Sequence, residues 1–493
     1  MAALAAFGLA GLAPSASAAT AKPYDFNGDG FTDLAIGSPY GTAGSAKFAG
    51  FVDIVYGSSN GLNTGKHQVF SQATAGVPGT PETSDHFGYS LASADFNQDG
   101  FADLAVGVPD EDTTNGANAG TVDFLWGTSS GLSAAASSAA DEFGAPAAGH
   151  RWGESLSVGD IEHDGFPELF ITIPGTSNFA WFFFGPTAAV AKATATGRTP
   201  HPGKVVNPSK AKNRKGGITT LSADDVNNSW IATGDVTGDG HDDLVYAWFD
   251  ADAPTGDVHG FFVFPGVLDS TNQGDLGTPS VVLTDVNSVT AGDFDGDSFA
   301  DVAVGQTPDA DHQGGQVKVF KGGVGNVTAD ASYVVNQDTA SVPGGGEAGD
   351  AFGASVAAGD INKDGKADLA VGGPTEDIGT AADAGATWLL YGSASGLTGT
   401  GSQMITQNTA GVPGGCETND KMGTQVALLD NNKDGFADLS AGAPAENVGD
   451  GMVSWLKGVS TGVTGTGSLG ITATTFGVTG KKAEIGRRLG RLG

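Results

Sequence analysis

The chain has 493 residues, of which 80 are glycine and only 16% are charged, a composition that suits many short strands and tight turns better than long solvated helices. Its 56 acidic residues outnumber 23 basic ones and give a formal charge of −33, which excludes nucleic acid and anionic membrane surfaces as natural partners and favours cations. The single cysteine, Cys416, excludes internal disulfides and thiolate metal clusters.

The N-terminal segment has the features of a secretory signal peptide. Its first thirteen residues are all apolar or glycine, and the small-residue sequence Ala16-Ser17-Ala18 follows, as is typical of a cleavage site. We therefore expect residues 1–18 to be removed and the protein to be secreted. No other apolar run reaches the ~18 residues that a membrane-spanning helix needs, so no membrane span is predicted in residues 19–493.

A nine-residue pattern, Asp-x-[Asn/Asp]-x-Asp-Gly-x-x-Asp, recurs along the chain with small variations. Its copies begin at Asp25, Asp95, Asp160, Asp235, Asp293, Asp360 and Asp430. Such recurrence indicates a repeat architecture, in which each unit buries its apolar face against its neighbours. We therefore expect residues 19–493 to form a single domain of seven stacked units.

Each unit predicts four short strands. In the second unit, the alternating segment after Phe87-Gly88 is the first strand, and the apolar run at residues 103–109, which Gly and Pro interrupt, is the second. Residues 121–126 form the third strand, and residues 67–72 of the first unit exemplify the fourth. Four antiparallel strands per unit predict a blade, so the expected fold class is all-β, a seven-bladed β-propeller.

The two ends of the chain predict how the ring closes. The first acidic pattern is preceded only by Lys22-Pro23-Tyr24, so the first unit lacks a first strand. Residues 484–489, near the C-terminus, resemble a first strand without its loop. We expect this C-terminal strand to complete blade one, because doing so removes two free sheet edges.

The acidic pattern offers the ligands that calcium prefers. Calcium takes about six to eight oxygens, and alternate side chains of a tight loop can point inwards together while a backbone carbonyl completes the set. Positions 1, 3, 5 and 9 would supply side chains and position 7 its carbonyl, which predicts up to seven Ca²⁺ sites. The expected ligands, in loops one to seven, are Asp25, Asn27, Asp29, Phe31 and Asp33; Asp95, Asn97, Asp99, Phe101 and Asp103; Asp160, Glu162, Asp164, Phe166 and Glu168; Asp235, Thr237, Asp239, His241 and Asp243; Asp293, Asp295, Asp297, Phe299 and Asp301; Asp360, Asn362, Asp364, Lys366 and Asp368; and Asp430, Asn432, Asp434, Phe436 and Asp438.

Two other kinds of loop share part of this pattern. An EF-hand requires a bidentate Glu at position 12 and flanking helices, whereas position 12 is here Ile36, Val106, Ile171, Tyr246, Val304, Val371 and Ala441. Asx-rich turns without metal are the second alternative, but the 23 carboxylates at the ligand positions of the seven loops would repel one another strongly. Magnesium fits less well because it prefers to keep its waters.

Phe-Gly, the acidic loop and Gly-x-Pro, in this order, resemble the FG-GAP repeats of the integrin α-subunit propeller. The resemblance covers nearly all of the mature chain, although Trp152-Gly153 replaces Phe-Gly in blade three and blades four and five lack the pair. It implies calcium in the hairpin loops between first and second strands, all on one face. It also implies that an extracellular protein or glycan binds the opposite face, which loops such as residues 72–86 and 110–120 would form.

No catalytic group is predicted. Two Gly-x-Ser-x-Gly sequences, at residues 57–61 and 127–131, match the nucleophile elbow of hydrolases. Both follow a third strand and lack the strand-to-helix context of an elbow, so we interpret them as β-turns. The leading hypothesis is a non-catalytic adhesion or ligand-binding module. The alternative is a hydrolase-associated (phospholipase- or esterase-like) or carbohydrate-binding propeller, because some FG-GAP propellers accompany phospholipase or esterase domains.

Overall fold

The computed structural model describes residues 21–492, except for residues 139–146, 162, 164, 175–177, 184–200, 207–225, 251–257, 269–273, 278, 310, 326, 328–329 and 479–481. The predicted signal peptide, residues 1–18, lies outside the described residues. No helix in the described part of the chain has the length and apolar character of a membrane span.

The described secondary structure is almost entirely β. One four-residue helical turn, α1 (Glu446–Gly449), accompanies thirty strands. In chain order these strands are β1 (Leu34–Ser38), β2 (Phe51–Tyr56), β3 (Asn63–Phe70), β4 (Ser90–Ala94), β5 (Asp103–Val108), β6 (Thr121–Trp126), β7 (Ser133–Ser138), β8 (Leu156–Gly159), β9 (Glu168–Ile173), β10 (Asn178–Phe183), β11 (His201–Val206), β12 (Val226–Gly234), β13 (Asp243–Asp250), β14 (Val258–Phe264), β15 (Gly266–Leu268), β16 (Gly274–Leu276), β17 (Ser280–Leu283), β18 (Ser288–Gly292), β19 (Asp301–Gln306), β20 (Gln316–Phe320), β21 (Tyr333–Val335), β22 (Ser355–Gly359), β23 (Asp368–Gly373), β24 (Ala386–Tyr391), β25 (Thr398–Ile405), β26 (Gln425–Leu429), β27 (Asp438–Ala443), β28 (Met452–Val459), β29 (Gly462–Thr472) and β30 (Arg488–Leu489).

Within the described residues, these strands form seven four-stranded antiparallel sheets and one two-stranded hairpin, β15–β16. Five sheets use four consecutive strands each: β4–β7, β8–β11, β18–β21, β22–β25 and β26–β29. The sixth has the order β12-β13-β14-β17, and the last has the order β3-β2-β1-β30. The prediction of an all-β propeller built from four-stranded repeats is confirmed.

The innermost strands of the sheets contact one another around a ring. Strand β4 contacts β8, and the contacts continue through β12, β18, β22 and β26 to β30, which in turn contacts β4. Strand β30 is the C-terminal segment, and it pairs with β1 through Ile36 with Leu489 and Gly37 with Arg488. The prediction that the C-terminal segment supplies the innermost strand of the first sheet is therefore confirmed.

The predicted strand positions are close to those observed, with one informative difference. The third strand of the second sheet spans Thr121–Trp126, as predicted. The fourth strand of the first sheet spans Asn63–Phe70 rather than residues 67–72. A β-bulge explains the earlier start: Val55 pairs with His67, but the next residue, Tyr56, pairs with Asn63, and such an irregularity leaves no trace in side-chain alternation.

Neighbouring sheets pack through backbone contacts between the two glycines of the repeat. Gly353 follows Phe352, and its N–H donates to the carbonyl of Gly372 in its own sheet at 3.0 Å. Gly372 in turn lies against the next sheet, because a Cβ built on it would be 1.9 Å from the carbonyl oxygen of Gly423. No side chain larger than hydrogen fits such an approach. The Phe-Gly and Gly-x-Pro sequences thus have a structural role at the sheet interface.

We expect Gly372→Ala to lower the free energy of unfolding by about 3 kcal/mol or more, because the added methyl group meets a backbone carbonyl of a packed neighbouring sheet. Urea denaturation measures this difference. Gly323→Ala is the matched control, since nothing lies within 4 Å of its Cβ position, and it should change stability by less than about 0.5 kcal/mol. Equal stability of the two variants would contradict the proposed packing role of Gly372.

The innermost strands surround a polar cavity of about 410 Å³ at the centre of the ring. Small hydroxyl side chains line much of it, among them Ser90, Ser157 and Ser355. The C-terminal segment reaches into this region, where the guanidinium Nη1 of Arg491 donates to the carbonyl of Val356 at 2.7 Å. The C-terminal strand therefore both completes a sheet and contacts an innermost strand of a different sheet.

Candidate calcium-binding loops

The acidic loops connect the innermost strand of a sheet to its second strand. In the second sheet, β4 ends at Ala94 and β5 begins at Asp103, so the loop of residues 95–102 spans this hairpin. Because successive strands are antiparallel, every such hairpin lies on the same face of the ring, which we call the loop face. Loops between second and third strands, and those between one sheet and the next, lie on the opposite face.

The early loop carboxylates organise the backbone of their own loop. In loop two, Asp95 accepts hydrogen bonds from the N–H groups of Asp99 and Gly100, both at 3.0 Å. Asn97 accepts from the N–H of Asp99 at 2.9 Å, and Asp99 accepts from the N–H of Phe101 at 3.0 Å. Loops six and seven have the same bonds at the same positions. The predicted ligand side chains of positions 1, 3 and 5 are therefore gathered on the inside of one turn.

The carboxylate at position 9 ties the loop to the sheet. Asp33 is fully buried, and its two oxygens accept from the N–H of Phe26 at 3.0 Å and from the N–H of Gly57 at 2.9 Å. Burial, together with the smaller effect of the Asp29 and Asp25 charges, raises the pKa of Asp33 to about 8. Burial likewise raises the pKa of Asp368 and of Asp438 to about 7. Without a cation, the negative charges concentrated in these loops thus disfavour ionisation of the carboxyl groups at position 9.

Loop one also contains a buried carboxylate oxygen without a partner. Asp25 is 6% exposed, and its Oδ2 accepts from the N–H of Gly30 at 2.9 Å. Its Oδ1 has no hydrogen-bond partner among the described residues. Burial raises the pKa of Asp25, and the neighbouring Asp29 charge adds to the effect. A bound cation would provide the missing partner for this oxygen, so the residues of loop one fit a divalent ion.

Loop five brings its carboxylates closest together. Oxygens of Asp293, Asp295 and Asp297 all lie within 4.8 Å of one another. Ser298, which replaces glycine here, has φ 75°, a left-handed conformation that costs a non-glycine residue energy. Lys321 forms an ion pair with Asp295. Loop five therefore combines a left-handed serine at the usual glycine position with a cationic side chain that already neutralises one of its carboxylates.

Loops three and four differ from the other loops in sequence, although Asp235 of loop four accepts from the N–H groups of Asp239 and Gly240 as Asp95 does in loop two. In loop three, Asp160 accepts from the N–H of Gly165 at 2.8 Å, but Glu162 and Asp164 lie outside the described residues. In loop four, Thr237 takes the place of a carboxylate or amide, and its N–H donates to Asp243 at 2.7 Å. The ring of His241 bonds to the carbonyl of Ile161 at 2.8 Å, so this histidine joins loop four to loop three.

Sequence reasoning missed the lysines that contact the loops. Besides Lys321 in loop five, Lys457 of β28 lies 2.9 Å from the carboxylate of Asp434 in loop seven. Each lysine directly precedes the glycine, Gly322 or Gly458, whose N–H donates to the position-9 carboxylate of its loop. A lysine before that glycine is the sequence signal that could have identified them. Each lysine partly neutralises its loop and would compete with a cation for the same carboxylate.

The two Gly-x-Ser-x-Gly sequences form turns. In the first, the N–H of Gly61 donates to the carbonyl of Ser58 at 2.8 Å, and in the second, Gly131 donates to Thr128 at 2.8 Å. Each turn connects a third strand to a fourth, and no helix follows. The prediction that these sequences are β-turns is confirmed.

Comparison with known proteins agrees with the repeat pattern. The family model for the FG-GAP repeat matches residues 19–69, 87–125, 280–320, 352–390 and 422–454. The chain contains FG-GAP repeats. The five matched segments include acidic loops one, two, five, six and seven, whereas loops three and four lie between matches.

Integrin alpha subunits and a phospholipase D are among the curated proteins that are similar to parts of this chain. Integrin alpha-PS5 of Drosophila melanogaster is 33% identical over 157 residues, which is 31% of this chain and 14% of that protein. Integrin alpha-6 of Homo sapiens is 36% identical over 91 residues, or 18% of this chain and 7% of that protein. Phosphatidylinositol-glycan-specific phospholipase D of Rattus norvegicus is 35% identical over 129 residues, or 24% of this chain and 15% of that protein. These alignments span at most 15% of each relative's length.

Proposed function

We propose that this chain is a secreted, calcium-binding, integrin-like propeller that acts as a non-catalytic adhesion or ligand-binding module. In this proposal residues 1–18 are the signal peptide, residues 19–493 form a single seven-bladed domain, and calcium occupies up to seven acidic loops. The observation that carries the proposal is the gathering of carboxylates on the inside of each regular loop, with a buried, unpartnered oxygen of Asp25 in loop one. Its similarity to integrin alpha subunits supports the same conclusion.

Calcium has a structural role in this proposal. Each ion would neutralise the carboxylates of one hairpin and fix the connection between an innermost strand and its neighbour. The chain has no disulfide to supply such a constraint, because it contains a single cysteine. Calcium ions on the loop face leave the opposite face for an extracellular protein or glycan.

An exposed aromatic group on the opposite face favours that face for partner binding. Phe48 lies in the loop between β1 and β2 and is 45% exposed. Its ring packs edge-on against Tyr40, with ring centres 6.4 Å apart, and Tyr40 also contacts His86. Aromatic side chains are common anchors in protein and glycan recognition because they offer a large apolar surface at low entropic cost.

The test is surface plasmon resonance of calcium-loaded protein against purified extracellular glycoproteins and glycans. We expect reversible, saturable binding to at least one of them, and Phe48→Ala should weaken it at least tenfold. Val324→Ala is the matched control, because Val324 is 92% exposed but lies in a turn between third and fourth strands, on the loop face. Equal effects of the two substitutions would contradict binding by the opposite face.

A hydrolase-associated role is the second candidate, and the similarity to phosphatidylinositol-glycan-specific phospholipase D favours it. The same protein sample should therefore be incubated with a phosphatidylinositol-glycan-anchored substrate in calcium. Release of the anchored protein would overturn the non-catalytic proposal. Binding to glycan without release would support the carbohydrate-binding form of the alternative.

A further inference from the structure

Three clusters of acidic residues lie on the face opposite the acidic loops. In each, a Gln follows the fourth strand of one sheet, a Glu and an Asp lie in the connection to the next sheet, and a second Glu follows the second strand of that next sheet. The first cluster is Gln72, Glu82, Asp85 and Glu111, the second is Gln337, Glu347, Asp350 and Glu376, and the third is Gln407, Glu417, Asp420 and Glu446. We call these the Gln-Glu-Asp-Glu clusters.

The hydrogen bonds of the three clusters are the same. The glutamine Nε2 donates to the carboxylate of the last Glu at 2.6, 2.8 and 2.6 Å, each time over a separation of 39 residues. The Asp carboxylate accepts from the backbone N–H of the first Glu at 2.5, 2.8 and 2.6 Å. These bonds engage one oxygen of the Asp carboxylate and one of the last Glu, and they do not involve the carboxylate of the first Glu or the amide oxygen of Gln.

The glutamine oxygen is buried and unpartnered in all three clusters. Gln72, Gln337 and Gln407 are 5%, 1% and 2% exposed. In none of them does Oε1 have a hydrogen-bond partner among the described residues. Because an amide oxygen buried without a partner is costly, its recurrence in three independent copies indicates that a group absent from the protein chain accompanies it.

In the second cluster, the unpartnered oxygen converges with carboxylate oxygens. Oxygens of Glu347, Asp350 and Glu376 lie within 4.8 Å of one another. A single point, where a Cβ on Gly314 would stand, is 3.0 Å from Gln337 Oε1, 3.1 Å from Asp350 Oδ2 and 2.8 Å from the Glu347 carbonyl oxygen. Glycine at position 314 thus keeps open a space that oxygen atoms surround.

Among the described residues, no basic side chain pairs with these carboxylates. Within the described ranges, none of the nine acidic residues of the clusters forms an ion pair. Burial raises the pKa of Glu111 and of Glu376 to about 7, and it raises the pKa of Asp420 and of Glu446 as well. Without a cation, the buried carboxyl groups would have to share protons.

We propose that the three Gln-Glu-Asp-Glu clusters are a second set of divalent-cation sites, distinct from the acidic loops and located on the opposite face. The ligands are the amide oxygen of Gln and the carboxylates of Asp and the two Glu residues. An all-oxygen set with several carboxylates suits calcium. Because the ligands come from two consecutive sheets, each ion fastens one sheet to the next.

The chain also contains boundaries where this site is incomplete. In each cluster, one residue separates the Asp from the Phe-Gly pair or its equivalent, as His86 separates Asp85 from Phe87. At the corresponding position, the connection from the second to the third sheet has His150, and the connection from the last sheet back to the first has Ala483. Neither supplies a carboxylate, so we expect no ion at these two boundaries.

The test counts calcium ions bound by the metal-stripped full chain in equilibrium dialysis. The variant Glu111→Gln, Glu376→Gln, Glu446→Gln keeps an acceptor for each glutamine Nε2 but removes one carboxylate from each cluster. We expect it to bind three fewer ions per chain than the wild type. The matched control, Asp112→Asn with Asp377→Asn, removes exposed charges adjacent to Glu111 and Glu376 and should bind as many ions as the wild type. An unchanged count in the triple variant would overturn the proposal.

Thermal unfolding separates loss of an ion from damage to the fold. In chelator, the triple variant should melt at or above the wild-type temperature because it lacks three buried carboxylates. In calcium, its melting temperature should rise less than that of the wild type. If calcium raised the melting temperatures of the triple variant and the wild type equally, the proposal would be contradicted, because the three clusters would then contribute nothing to the calcium-dependent stability.

Anomalous diffraction from wild-type crystals soaked in manganese chloride gives a test that needs no variant. We expect a peak among Gln337 Oε1, Asp350 and Glu376. Peaks in the acidic loops with none in the clusters would overturn this inference and leave the proposed calcium-binding loops intact. Peaks in the clusters with none in the loops would do the opposite, so failure of either proposal is recognisable.

Discussion

Chelation of calcium is expected to lower the melting temperature of this protein by roughly 10 °C. If each acidic loop binds calcium with a Kd near ~0.1 mM, then ~1 mM calcium stabilises the folded state by about 1.4 kcal/mol per site and by about 10 kcal/mol for seven. A domain of this size loses about 1 °C of melting temperature per kcal/mol. Differential scanning calorimetry in calcium and in EGTA measures the shift.

Two controls test whether calcium is the ion responsible and whether it binds in the acidic loops. Restoring calcium should restore the melting temperature, whereas magnesium at the same concentration should restore much less. The N–H groups of Asp99 and Gly100 donate to different oxygens of Asp95, so Asp95→Asn keeps only one of these acceptors. It should lower stability in EGTA by about 1 kcal/mol and reduce the calcium-dependent gain by about one site's share. An unchanged melting curve in EGTA would refute calcium as a structural ion in this fold.

Removal of residues 482–493 is expected to abolish cooperative folding or to lower the free energy of unfolding by at least about 5 kcal/mol. The deletion removes buried Ile485 and Leu489 from the apolar cluster between the first and last sheets. It also removes the hydrogen bond from the N–H of Gly490 to the carbonyl of Ala35, at 2.9 Å. Burial of each large aliphatic side chain contributes about 1.5–3 kcal/mol, and the edge of β1 is left unpaired as well.

Two further measurements make this expectation specific. A synthetic peptide of residues 482–493, added to the truncated protein, should restore part of the lost stability in a concentration-dependent manner. Leu489→Ala should cost about 2–5 kcal/mol, whereas Leu492→Ala, at a position that is 46% exposed, should cost less than about 0.5 kcal/mol. If truncated and full-length proteins unfold at the same urea concentration, strand β30 has no part in closing the ring.

Local patterns in the sequence predicted the strands and the positions of the acidic loops because each depends on residues close together in the chain. Alternation and Gly or Pro boundaries located Thr121–Trp126, and the missing first strand before Asp25 indicated that residues near Leu489 would pair with β1. The β-bulge at Tyr56 was not predicted, since pairing with Asn63 is a property of two strands together and not of either sequence.

The Gln-Glu-Asp-Glu clusters were not predicted either, for a related reason. Gln337 and Glu376 are 39 residues apart and belong to different sheets, so neither stands out within its own repeat. Burial of Glu376, which raises its pKa to about 7, is likewise a property of the assembled ring. The signal in the sequence is the constant spacing from Gln to the last Glu in three copies, and it becomes visible only when consecutive repeats are aligned in pairs.

Pairing between Ile36 and Leu489 also determines when the fold can be completed during synthesis. Three of the four strands of the first sheet are synthesised before the other sheets, but its innermost strand, β30, follows all the other described strands in the chain. Contacts between residues so distant in the chain form slowly, because a very long loop must close first. The nascent chain can therefore assemble its intermediate sheets one after another, while the native ring forms only after β30 has been synthesised.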